Sequence, residues 1–340
     1  MTLNELNAVA KAMVSNGKGI LAADESSPTI KKRFDSIDTE STEQNRRRYR
    51  EMLFTTSGLV DYIGGVILFD ETIRQSTSDG VPFAKYLNDL GMIAGIKVDK
   101  GAKPLAGFPG DKITEGLDGL RERLKEYAEF GAKFSKWRAV ITIGDGIPTD
   151  FCLRANAHAL ARYAALCQEA NIVPIVEPEV LMDGSHSIER CAAVTATTLD
   201  HVFRELEDHR VELEGIILKP NMVISGTEAA DRAGPEKVAE ATLRVLKEHV
   251  PAAVPGIAFL SGGQSAEEAT EHLALMNRMG PFPWGELSFS YGRALQAPAL
   301  DAWRGKEQQF EAGQQALSKR ARLNSLAHLG KYETAMESAA

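Results

Sequence analysis

Apolar and polar positions alternate between two periods along the chain. Short apolar runs of strand type are separated by longer stretches with helical spacing. The first fourteen positions of the pattern, residues 3–16, place Leu3, Leu6, Val9, Ala10 and Met13 on one helical face. Eight strand-type runs follow, at 17–24, 62–69, 92–99, 134–140, 172–179, 214–221, 256–263 and 286–293. Helical patterns are expected at 41–53, 114–130, 149–170, 187–209 and 234–250, after Ser265, and from Pro298 to about 329. Ser41-Thr42-Glu43-Gln44 and Ser265-Ala266-Glu267-Glu268 fit capping boxes. Residues 26–36 are polar and basic, and 101–112, rich in Gly, Pro and Lys, reads as a long loop. Strands that alternate with helices argue for a parallel sheet, and eight of them for a closed (β/α)8 barrel. The strand-end residues Lys97, Lys136, Glu177, Lys219 and Ser261 recur at intervals of roughly forty residues, one strand–helix unit each. The expectation is one barrel domain over 1–340, with an N-terminal helix, a C-terminal helical extension and a mobile tail at 331–340. An open doubly wound sheet is the alternative, but the first Gly-rich turn lacks the G-x-G-x-x-G dinucleotide fingerprint.

Composition narrows the function. The chain has 340 residues, 44% hydrophobic and 25% charged, with net charge −8. The acidic balance argues against nucleic-acid and anionic-membrane partners, and no apolar run is long enough to span a bilayer. The start, Met1-Thr2-Leu3-Asn4-Glu5, has neither the basic region nor the apolar core of a signal peptide. Cys152, Cys167 and Cys191 show no C-x-x-C spacing and lie in helical patterns, so buried reduced thiols in a cytoplasmic protein are expected. The triplet Arg46-Arg47-Arg48 reads as a solvated helix face.

The strand ends carry the chemistry. A barrel gathers the carboxyl ends of its strands around one axis. Here those ends are Asp24; Lys97 with Asp99; Lys136 with Arg138; Glu177 with Glu179; Lys219; Ser261-Gly262-Gly263; and Gly292-Arg293. One charged strand end is commonly a structural ion pair, but six are hard to explain that way, because charge in a buried strand is costly. Lys219 follows Ile216-Ile217-Leu218 and precedes Pro220, with no acid beside it in sequence. A desolvated amine loses its proton more readily and can form a Schiff base with a carbonyl. Lys97 has Asp99 two residues on. Lys136 has Arg138 there, whose charge would lower the Lys136 pKa and make it the competing nucleophile. Glu177 can move protons for Lys219 if its pKa is raised, or it and Glu179 can simply neutralise Lys136 or Arg138. Asp24 is the natural second acid–base group. The excess of cations points to an anionic small substrate. Ser261-Gly262-Gly263 before a helix, with Arg293, suits a phosphate, and Lys32, Arg33 or Lys97 suits a second one. The seven histidines include no H-E-x-x-H pair and none falls at a strand end, so neither metal nor cofactor is expected.

Eight segments resemble class I fructose-bisphosphate aldolases: GKGILAADES (17–26), IGGVILF (63–69), GIKVDKG (95–101), SKWR (135–138), IVPIVEPE (172–179), LKPNMV (218–223), FLSGGQS (259–265) and SFSYGRAL (288–295). The resemblance spans nearly the whole chain. It implies Lys219 as the Schiff-base lysine, Glu177 as the proton-transferring carboxylate, Asp24 acting on the C4 hydroxyl, and Lys136 and Glu179 assisting. It implies substrate or phosphate contacts from Lys97, Arg138, Ser261, Gly262, Gly263, Ser290, Gly292, Arg293, Ser26 and Lys32. It implies a cytoplasmic homotetramer that cleaves fructose 1,6-bisphosphate without metal. Well-known members of that family end in a tyrosine, whereas this sequence ends Glu337-Ser338-Ala339-Ala340, and Pro28 stands where a small residue is common. Two other readings stay open from the residues: another Schiff-base barrel such as a transaldolase or deoxyribose-phosphate aldolase, and an inactive relative that acts as a scaffold. The second would be expected to have lost Lys219, Glu177 or Asp24, and all three are present.

Overall fold

The structure, a computed structural model, describes residues 2–338. Among these, eight parallel strands close into a barrel: β1 (Gly19–Ala22), β2 (Ile63–Leu68), β3 (Ile93–Lys97), β4 (Phe134–Ile141), β5 (Val173–Val180), β6 (Ile217–Leu218), β7 (Gly256–Phe259) and β8 (Glu286–Tyr291). Each pairs with its neighbour in the chain, and β1 pairs with both β2 and β8, so no sheet edge is left open. The strands are buried almost throughout, as a sheet covered on both faces must be.

Two hydrophobic layers hold the barrel. The larger lies between the strands and the surrounding helices. The smaller fills the interior with Ile20, Ile67, Phe134, Val173, Ile175, Ile217 and Ala258. The helix Leu3–Val14 closes the amino-terminal end of the barrel with Leu6, Ala10, Met13 and Val14. Two glycines are required by this packing. A Cβ on Gly95 would lie 2.3 Å from the Phe134 ring, and one on Gly64 would lie 2.4 Å from the Met13 carbonyl. The plug leaves the carboxyl ends of the strands as the open face.

The structure departs from the sequence reading at several elements. The polar stretch 26–36 contains the helix Ser27–Asp35, anchored by Ile30 and Phe34 one turn apart. The expected loop after β3 contains an antiparallel ribbon, Ala102–Pro104 with Lys112–Thr114, and the next helix starts only at Leu120. Ser41 does not cap. The N-cap is Thr42, whose hydroxyl accepts from the Asn45 N–H. The box at Ser265 and Glu268 forms as expected. Residues 213–215 form a 3-10 turn, so β6 is shorter than the apolar run. The last helices are Arg293–Trp303, with Pro298 inside it, and Phe310–His328. The three arginines are not a solvated face. Arg46 pairs with Glu71 at 2.6 Å, Arg47 and Arg48 with the buried Glu51 at 3.2 and 3.1 Å, and Arg48 also with Glu307. All three cysteines are buried free thiols, as expected.

The segment 331–338 is docked in the structure. Tyr332 is buried, its hydroxyl donates to Glu337, and Glu337 pairs at 2.6 Å with Arg320, which is itself buried. Residues 339–340 of the expected tail lie outside the described residues. A buried guanidinium that loses its carboxylate is destabilising. Glu337→Ala should therefore lower Tm by roughly 1–3 °C, on an estimate of about 1–2 kcal/mol for a partly exposed partner. An unchanged Tm would show that this segment is not docked in solution.

Candidate active site

A cleft of about 550 Å³ opens at the carboxyl ends of the strands. Its wall includes Asp24, Ser26, Lys32, Lys97, Lys136, Arg138, Glu177, Glu179, Lys219, Ser261, Gly262, Ser290, Gly292 and Arg293. The strand ends picked out in the sequence thus meet in one place. Asp99, which pairs with Lys97, and Gly263 are the exceptions. The case of Gly263 is conformational. Its φ of +70° makes the turn before the helix Ala266–Arg278, and it faces Met182 and Thr227 instead of the cleft.

The centre is a chain of four charges. Asp24 Oδ2 lies 2.7 Å from Lys136 Nζ, Lys136 Nζ lies 3.3 Å from Glu177 Oε2, and Glu177 Oε1 lies 3.2 Å from Lys219 Nζ. Strand register sets this up. Lys97 and Lys136 are partners across β3 and β4, and Arg138 stands opposite Glu177 across β4 and β5. Two further pairs flank the chain: Lys97 with Asp99 at 3.3 Å, and Arg138 with Glu179.

Burial alone would raise the Asp24 carboxyl, but the charges of Lys136, Lys219 and Lys97 overcome it and hold Asp24 well below the usual carboxylate range. Glu177 is balanced in the same way, burial against Lys136, Lys219 and Arg138, and is also lowered. The raised Glu177 that the sequence reading allowed does not occur; it is an ionised carboxylate between two amines. Lys136 reverses its expectation too. Burial disfavours its charge, but Asp24, Glu177 and Asp99 outweigh that and raise its pKa. Arg138 turns to Glu179, so the cation expected to depress Lys136 is neutralised. Lys219 is 4% exposed, buried as its apolar run predicted, but with the Glu177 carboxylate beside it.

The rim is organised differently. Neither Lys32 nor Arg293 forms an ion pair among the described residues. Arg293 is exposed at the start of its helix, and Ser290 presents a buried hydroxyl without a hydrogen-bond partner among the described residues. Two residues absent from the strand-end reading matter here. Glu25 is buried and pairs with Arg50 at 2.6 Å and with Arg33. Gln296 donates to the Ala22 carbonyl at 2.7 Å and to Glu25 at 2.9 Å, which ties the helix after β8 to the end of β1. Neither stands at a strand end, and the partners of Glu25 come from distant positions, so sequence spacing gave no signal for them.

A barrel with a buried amine between carboxylates and unpaired cations at its mouth defines a protein that handles a carbonyl compound bearing anionic groups. The comparisons with known proteins give the same direction. Residues 5–340 match the model of the family described as "Glycolytic: Fructose-bisphosphate aldolase class-I". The chain is 58% identical over 334 residues to a probable fructose-bisphosphate aldolase class 1 of Xanthomonas campestris pv. campestris, covering 98% of this chain and 100% of the relative. It is 53% identical over 330 residues to the cytosolic fructose-bisphosphate aldolase 4 of Arabidopsis thaliana, covering 97% and 84%. The solved structure of fructose-bisphosphate aldolase from Plasmodium falciparum superposes with a TM-score of 0.95 at 50% identity, covering 97% of this chain and 96% of that one. The chain belongs to the class I fructose-bisphosphate aldolase family.

The ionic cluster has a defined pH window. Asp24 and Glu177 have depressed pKa values, so their contribution to stability is present above the ordinary carboxylate value of about 4 and is lost as pH falls below it. Lys136 has a raised value, so its contribution is present below about 10.5 and lost at higher pH. Lys136→Met removes the main cation facing both carboxylates. Their pKa values should rise, and the acid-unfolding midpoint should move to higher pH by about 1 unit or more. A midpoint identical to that of the parent protein would show that Lys136 does not hold these carboxylates ionised.

Proposed function

We propose that this protein reversibly cleaves fructose 1,6-bisphosphate into dihydroxyacetone phosphate and glyceraldehyde 3-phosphate through an imine on Lys219. The observation that carries the reading is the contact of the buried Lys219 amine with the ionised Glu177, in a cleft whose mouth holds unpaired cations.

The geometry supports a role for each group. As the substrate ketone reaches Lys219, Glu177 takes a proton from the amine, which then attacks C2. Glu177 returns that proton to the carbinolamine hydroxyl, which leaves as water and gives the iminium. Asp24, held ionised, takes the proton of the C4 hydroxyl. The C3–C4 bond breaks, its electron pair flows to the iminium nitrogen, and the aldehyde departs. The enamine left on Lys219 takes up at C3 the proton that Asp24 removed, which restores the Asp24 carboxylate, and water hydrolyses the resulting iminium to the triose phosphate ketone and the free Lys219 amine. Lys136 keeps Asp24 and Glu177 ionised between steps. Ser261, Gly262, Ser290 and Arg293 line one part of the rim, and Ser26, Lys32, Lys97 and Arg138 line others, which suits a substrate with a phosphate at each end. This dual provision favours a bisphosphate over the substrates of other Schiff-base barrels. The family likeness extends the proposal to a cytoplasmic homotetramer.

Borohydride added with dihydroxyacetone phosphate should inactivate the protein irreversibly, and peptide mapping should place the adduct on Lys219. A chelator should leave cleavage unchanged, because the iminium serves as the electron sink. An adduct on Lys136, or loss of activity to chelator with no adduct, would overturn the assignment.

Arg293 is a rim cation whose guanidinium forms no ion pair among the described residues. Arg293→Ala should raise KM for the bisphosphate by more than about tenfold, a loss of at least ~1.4 kcal/mol. An unchanged KM would remove Arg293 from the phosphate site.

A further inference from the structure

Outside the cleft, one group of side chains has the composition and spacing of a metal site. His158 lies on the helix Asp150–Glu169. Glu205 lies near the end of the neighbouring helix Ile188–Asp208, and His209 caps that helix one turn further on. His158 Nδ1 is 3.1 Å from Glu205 Oε2, and His209 Nδ1 is 3.6 Å from the same oxygen. The two rings meet edge to face with centroids 4.9 Å apart. One ligand atom from each of the three residues falls within 4.8 Å of the others.

We propose that His158, Glu205 and His209 bind one divalent transition-metal ion of the zinc type, bridging these two helices on the outside of the barrel. Bonds of about 2.0–2.2 Å at a tetrahedral angle put ligand atoms about 3.3 Å apart. The 3.1 Å between His158 Nδ1 and Glu205 Oε2 is already close to that value, and His209 brings a ring nitrogen within 4.8 Å of both. Two imidazoles and one carboxylate are the ligand types such an ion prefers, and they leave a fourth position for water. His209 Nδ1 also sits 2.8 Å from the Glu205 carbonyl. An Nδ1–H donated there fixes the ring and leaves Nε2 with the lone pair, the arrangement by which a backbone carbonyl orients a metal-bound histidine. His158 is half exposed, so an ion enters from solvent without opening the fold. The three residues do not line the catalytic cleft, so the site is separate from the lysine chemistry. Arg162, one turn beyond His158, lines the small cavity beside His209. Its charge opposes a cation and lowers the expected affinity.

The test is calorimetric titration of the chelator-treated, untagged full-length protein with zinc chloride, with cobalt chloride as an optical probe. One equivalent of zinc should bind, and bound cobalt should give the intense visible bands of a tetrahedral site. His158→Ala and the near-isosteric Glu205→Gln should each weaken zinc binding at least tenfold. Fructose 1,6-bisphosphate cleavage by both variants should stay within twofold of the parent. The three cysteines are buried, so they do not supply a competing thiolate site in the folded protein. Absence of saturable zinc binding would reduce the cluster to a surface ion pair and overturn the proposal. Binding that persists at full strength in Glu205→Gln would overturn it as well.

Discussion

The functional end of this barrel depends on mutual neutralisation of buried charge. Asp24 and Lys219 follow the ends of β1 and β6, Lys136 and Glu177 lie within the longer β4 and β5, and the four form one continuous ionic chain. A single ionised group at that depth would cost several kcal/mol, and removing one member of a buried pair is more damaging than replacing both. Each of the four is therefore conditional on the others. The flanking pairs, Lys97 with Asp99 and Arg138 with Glu179, extend the pairing towards the mouth, where the Arg138 side chain is 41% exposed. Among the described residues Lys32 and Arg293, both exposed at the mouth, form no ion pair. In the proposed reaction depth separates two tasks: proton movement belongs to the paired interior, where groups exchange a proton over about 3 Å contacts, and anion capture to the rim, where an exposed cation costs little.

That separation needs a rigid floor. Phe134, at the start of β4, fills the space beside Gly95 and leaves its own strand directed at the cleft, with Lys136 two residues further on. The helix Leu3–Val14 seals the other end of the barrel with Met13 and Val14. Close packing below the charges limits how far the amines and carboxylates can shift. On the wall, Gln296 and Glu25 link β1, the helix after β8 and Arg50, so the rim around Gly292 is tied to the strand that carries Asp24.

Much of this was legible in the chain because the barrel imposes a repeat. Buried parallel strands read as apolar runs, and a charged residue at the end of such a run stands out. That signal located Asp24, Lys97, Lys136, Glu177 and Lys219, and the structure brings them to one cleft. Elements whose apolar content is small were harder. The helix Ser27–Asp35 buries only Ile30 and Phe34, so its polar face dominated the pattern. The ribbon at 102–114 is held mainly by backbone bonds that few side chains announce. Arg46, Arg47 and Arg48 looked solvated because Glu71 and Glu307 are remote in sequence, and because the burial of Glu51, one turn on in the same helix, does not show in the local pattern. Glu25 was hidden for the same reason.

The lysines show where one-dimensional reasoning about electrostatics fails. Neighbours two residues away in the chain suggested that Lys136 feels Arg138 and that Lys219 feels no acid. In the folded barrel Arg138 is engaged by Glu179, while Lys136 touches two carboxylates and Lys219 touches one. Lys136 is thus held by two close ion pairs and Lys219 by one, each worth about 4 kcal/mol at an effective dielectric near 20 before desolvation is counted. In the proposed reaction the one carboxylate beside Lys219 is the group that takes its proton, whereas the same use of Lys136 would strip charge from Asp24 as well. In that proposal the choice of Lys219 over Lys136 rests on how many carboxylates each amine faces across the barrel, a property of strand register and not of the local sequence.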